Sequence, residues 1–171
     1  MNILELVTDF LTNYIVMSAL VGWFTAQFLK ILTRGFKQKK LDIANILFGT
    51  GGMPSSHSAA VMALAVSTAL VFSPASFEFA IAGVFAMVVI RDAMGVRREV
   101  SKQAAIINKL VIDVINAGSE ENREKRLKEL VGHTPLQVWA GCAVGIVVPC
   151  VMWFIPLFKD SIAFLQAGRL G

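Results

Sequence analysis

Only two histidines occur in the 171 residues, His57 and His133. His57 closes Gly51-Gly52-Met53-Pro54-Ser55-Ser56-His57, and His133 lies within Leu130-Val131-Gly132-His133-Thr134-Pro135. Each begins a long apolar run. Lys30, Asp92, Arg97 and Arg98 stand at the ends of other apolar runs. Such a set suits phosphoryl transfer. One imidazole attacks phosphorus, a second protonates the leaving oxygen, and cations with backbone N–H groups hold the equatorial oxygens. Metal binding is the competing use of two histidines. No His-x-x-x-His pattern or Cys/His cluster supplies the remaining ligands, so neither metal nor cofactor is expected.

The elements that must position these groups follow from local sequence. Gly51 and Gly52 permit backbone conformations that other residues avoid. Pro54 suits a helix start, and Ser55 and Ser56 are good N-caps. The product is a helix N-terminus whose free N–H groups and dipole favour anions. Alone it could be an ordinary capped start; the adjacent histidine adds chemistry. Lys30 shares a helix face with Gln27, and either snorkels to the interface or turns inward to meet a phosphate. Arg97 and Arg98, just past Gly95, are either topology anchors or guanidinium forks for phosphate oxygens. Asp92 is placed to orient one of them or a histidine.

Hydrophobic residues make up 56% of the chain and the mean hydropathy is +0.65, above what soluble domains carry. The expected fold is all-α, a single multi-pass membrane bundle over residues 1–171 with four spanning segments, at 13–32, 57–72, 77–94 and 137–158. These approach the spanning length, and Pro149 predicts a kink in the last. Residues 3–12 form an amphipathic lead-in. Residues 100–117 predict an amphipathic helix with Ala104, Ile107, Leu110, Val111, Val114 and Ile115 on one stripe, packed on the bundle or lying at the interface. Residues 120–130 predict a charged, solvated helix.

The net charge of +4 lies beside the apolar runs, where it matches membrane topology and anionic headgroups rather than nucleic acid. Cys142 and Cys150 fit as small core residues without a disulfide. The N-terminal sequence lacks the features of a cleaved signal peptide. Basic residues concentrate at 34–40 and 91–128. The positive-inside rule therefore places both termini outside and both histidine motifs on the cytoplasmic face.

Three motifs in order, Gly51 to Ala59, Asp92-Ala93-Met94-Gly95-Val96-Arg97-Arg98 followed by Gln103-Ala104, and Leu130 to Pro135, resemble the divergent branch of the type 2 phosphatidic-acid phosphatase superfamily. That superfamily includes lipid phosphate phosphatases and vanadium haloperoxidases. The resemblance implies a metal-independent membrane phosphatase acting on a lipid phosphate, a polyprenyl phosphate or a pyrophosphate, and the compact form and lack of a targeting peptide suit a bacterial plasma membrane. It makes His133 the nucleophile and His57 the acid, and sets Ser55 and Ser56 near the phosphate. The superfamily's histidine-orienting Asp is replaced by Gln137, which can accept an imidazole N–H but brings no charge. The arginine six residues before the nucleophile is Leu127, and Lys30 is followed by Lys37 and Gln38 where the family pattern has Arg-Pro. Lys30, Arg97 and Arg98 would supply the phosphate cations. Two alternatives stand beside catalysis: binding or moving a lipid phosphate without hydrolysis, and a structural membrane protein with no ligand.

Overall fold

The computed structural model describes residues 2–35, 52–116 and 134–167. They form helices α1 (Ile3–Thr12), α2 (Tyr14–Gly35), α3 (Ser56–Phe72), α4 (Phe77–Met94), α5 (Val96–Asn116), α6 (Pro135–Met152) and α7 (Lys159–Ala167), with a 3₁₀ turn at Pro156–Phe158. Among the described residues no strand occurs. Residues 36–40 of the basic stretch at 34–40 and the charged helix expected at 120–130 lie outside the described residues, as does His133.

Helix α3 is the centre of the bundle, touching α2, α4 and α6. Its composition explains this. Ser58, Ala59, Ala63, Ala65, Ser67 and Thr68 are small and buried, so neighbouring backbones come close, the usual route to tight helix packing in a membrane. The neighbours answer with glycine. A Cβ on Gly141 of α6 would collide with the Ser55 carbonyl oxygen, and one on Gly145 would stand 2.5 Å from the Ala59 carbonyl oxygen. A Cβ on Gly22 of α2 would lie 3.1 Å from the Ala63 Cβ. Gly141 and Gly145 form a small-xxx-small stripe that grips α3.

Among the described residues three helical stretches, Tyr14–Thr33, Phe77–Leu110 and Pro135–Met152, are long and apolar enough to cross a membrane. Helix α3, apolar but only 17 residues, is about 25 Å long. The outer face of α4 exposes Phe77, Ile81, Val84, Phe85, Met87 and Val88. A face this apolar belongs against lipid. The protein is an all-helical integral membrane protein.

Several boundaries differ from the sequence expectation for local reasons. Helix α6 stops at Met152 instead of running to Phe158, because Ile155 precedes Pro156 and is extended, with φ −78° and ψ 123°, as a residue before proline prefers. The last segment then restarts as α7. On α5, Ala104 of the expected apolar stripe and Asn108 are buried, whereas Ile107 and Leu110 of the same stripe are exposed. Cys142 is buried as expected, but Cys150 is exposed and is not a core residue.

The end of the bundle away from the motifs is sealed by bulk. Tyr14, Val71, Met152, Phe158 and Ile162 form one buried cluster. Tyr14 packs edge-on against Trp153 and Phe158, with ring centroids 5.6 and 6.1 Å away. Its hydroxyl donates to the Pro149 carbonyl at 2.7 Å.

Candidate functional site

The motif end is built from two helix starts locked together. Ser55 is the N-cap of α3. Its Oγ accepts from the Ser58 N–H at 3.4 Å and from the Ser58 hydroxyl at 2.9 Å, satisfying a donor that a helix start leaves free. Thr134 caps α6 in the same manner. Its Oγ1 accepts the Gln137 N–H at 3.4 Å, while Gln137 Oε1 accepts the Thr134 N–H at 2.9 Å. This is a reciprocal capping box. A backbone bond joins the two starts, from the Ser55 N–H to the Gln137 carbonyl at 2.9 Å. The absent side chain of Gly141 permits that approach.

Helix α2 brings its last turns to the same place. Lys30 is 3% exposed, and its Nζ donates to Ser56 Oγ at 3.1 Å. Of the two sequence alternatives, the structure therefore takes the inward one. Thr33 donates its hydroxyl to the Met53 carbonyl at 2.7 Å, tying α2 to the loop before α3. In that loop the Met53–Pro54 peptide is cis and Gly52 has φ 102°, a value that favours glycine.

Helix α4 supplies the third wall. Ala93 is buried with Val138 and Cys142, which sets the last turn of α4 beside the first turns of α6. Asp92, the neighbour of Ala93, is half-buried. Gly95, with φ −99° and ψ −91°, ends α4, and α5 starts at Val96. Arg98 lies in the first turn of α5 and is exposed. The side chain of Arg97 lies outside what the structure describes.

The structure thus gathers Lys30, Ser55, Ser56, the start of His57's helix, Asp92 and Gln137 at one end. His57 itself is exposed there, in the first turn of α3. Arg98 stands outward from the cluster formed by Lys30 and the serines, and the side chain of His133 lies outside the described residues. Gln137 has a role that sequence reasoning missed, although Thr134-x-x-Gln137 is a capping-box pattern. The Gly141-x-x-x-Gly145 stripe was also legible as a packing motif. The Thr33 contact had no sequence signal. Among the described residues no three His, Cys, Asp or Glu side chains cluster as a metal site requires.

The sequence of these elements carries a family signature. Residues 11–148 match the model of the divergent PAP2 family. The chain belongs to that family. It is also similar to the uncharacterized membrane protein YuiD of Bacillus subtilis (strain 168), with 40% identity over 153 residues covering 84% of this chain and 96% of the relative. No solved structure matches the chain. The matched span holds α2 through most of α6, hence every element that builds the motif end.

Proposed function

We propose that this divergent PAP2 family member is a lipid-phosphate phosphatase working at the joined starts of α3 and α6. The observation that supports it most is the 2.9 Å bond from the Ser55 N–H to the Gln137 carbonyl. It fixes the helix start bearing His57 against a residue four positions after His133. Attack by a His133 ring nitrogen forms a P–N bond as the P–O bond to the lipid breaks. His57 donates its proton to the departing oxygen. Water then breaks the P–N bond, giving a proton back to His57 and releasing inorganic phosphate. Lys30 and Arg97, with the N–H groups of α3's first turn, stabilise the charge on the equatorial oxygens. Asp92 orients a cationic partner. The motif end faces the cytoplasm, in keeping with the basic residues at 34–40.

A second reading is phosphate-lipid binding without turnover. It is favoured by Gln137, which is uncharged and whose Oε1 already accepts the Thr134 N–H, so it supports an imidazolium less than a carboxylate does. The test uses purified protein in detergent with a chelator present. Inorganic phosphate release from short-chain phosphatidate and polyprenyl phosphates, lost in His133→Ala, supports catalysis. Lipid-phosphate binding that survives His133→Ala, without release by the wild type, supports the second reading.

A further inference from the structure

Helix α1 presents a physical puzzle that its surroundings answer. It has ten residues and none of them is buried. Ile3, Leu4, Leu6, Val7, Phe10 and Leu11 are exposed, from 47% for Val7 to 80% for Ile3. An isolated helix of this length is marginal in water, so its apolar face needs a cover.

The residues divide by face. At 100° per residue, the six apolar side chains occupy one arc, and Glu5, Thr8, Asp9 and Thr12 occupy the other without intermixing. Three of the polar arc's four side chains bond within the helix. The Glu5 carboxylate accepts the Asn2 N–H at 2.9 Å, and the Thr8 and Thr12 hydroxyls donate to the Leu4 and Thr8 carbonyls at 2.7 and 2.9 Å. Asn13 ends α1, and its Oδ1 caps α2 by accepting the Ile15 and Val16 N–H groups at 3.0 and 3.1 Å. The chain therefore turns at one defined residue between α1 and the spanning helix. That places α1 at the start of α2, the end opposite Lys30.

Charge narrows the occupant. Helix α1 carries Glu5 and Asp9 and no lysine or arginine, and the first basic side chain in the sequence is Lys30. Surface helices that seek anionic lipid carry basic polar faces, whereas two carboxylates are repelled by it. We infer that α1 is an interfacial helix that lies in the headgroup layer of the leaflet opposite the candidate site, immersing Val7 and Phe10 in lipid and favouring uncharged over anionic headgroups.

The experiment uses the full chain in phosphatidylcholine vesicles, with Cys142 and Cys150 replaced by alanine and a single nitroxide introduced at Glu5, Val7, Asp9 or Phe10. A parallel series keeps Cys142, which is buried, and replaces only Cys150, so a folding defect from Cys142→Ala does not stop the test. Oxygen should relax the Val7→Cys and Phe10→Cys labels preferentially, and a water-soluble nickel chelate the Glu5→Cys and Asp9→Cys labels. In phosphatidylglycerol vesicles at low salt the Val7 label should become more accessible to the chelate. The proposal is overturned if all four labels read as water-exposed. It is equally overturned if Val7 and Phe10 are shielded from both reagents, as a second copy of the chain would do. Equal or deeper immersion in phosphatidylglycerol also overturns it.

Discussion

The two ends of the bundle are built from opposite materials. At the start of α2, Tyr14, Trp153, Phe158 and Met152 fill space with large side chains. At the other end Ser55, Ser56, Ser58 and Gly141 leave almost no side-chain volume, and the backbones of α3 and α6 touch directly. Bulk seals an end. Small residues bring helix starts together and admit the buried cation of Lys30. The difference teaches where each kind of damage should fall: stability at the aromatic end, function at the serine end, with Gly141 the exception because the serine end cannot assemble without it.

The largest effect is expected from Gly141→Leu. Its side chain would overlap the Ser55 carbonyl, and overpacking costs about 1–3 kcal/mol even where a core can adjust. Here the obstacle is backbone, so size-exclusion chromatography in detergent should show aggregated protein. Tyr14→Ala should lower stability by about 3–5 kcal/mol, as truncating a large aromatic does. It should leave any phosphate-lipid binding unchanged once the protein is folded, and a loss of binding would break the division between the ends. Lys30→Met should invert that pattern. Removing this donor leaves the buried Ser56 hydroxyl with one partner fewer, which costs about 1–3 kcal/mol and less than Tyr14→Ala, whereas a lost charged hydrogen bond should weaken phosphate-lipid affinity about 10- to 100-fold. Calorimetric titration and thermal unfolding of the same sample separate the two quantities. Thr134→Ala removes an N-cap and should cost about 1 kcal/mol, a small shift in the thermal midpoint.

Much of this contrast was legible from the chain. Ser55 and the Thr134-Pro135 pair marked helix starts because capping chemistry is local. Four apolar runs marked the bundle. Distances between runs were not legible, since no local pattern states that Ser55 will meet Gln137. The inward turn of Lys30 was undecidable for the same reason: snorkelling and burial need the same side chain, and only Ser56 across the helix interface decides. Gln137 was expected to orient a histidine, and the structure gives its oxygen to Thr134. The stripe on α5 left bundle and interface both open because amphipathic patterning identifies an apolar face without saying whether protein or lipid covers it. Ile107 and Leu110 are exposed while Asn108 is buried.

The central claim is that the serine end supports phosphoryl transfer through His133. It is tested most directly by brief reaction of purified protein with a polyprenyl phosphate carrying labelled phosphorus, followed by a quench in base, where phosphohistidine survives. The account predicts label on the peptide containing His133, lost on chase with unlabelled substrate and absent in His133→Ala. Wild-type protein that releases phosphate with no label on that peptide, and continues to release it as His133→Ala, would contradict the account.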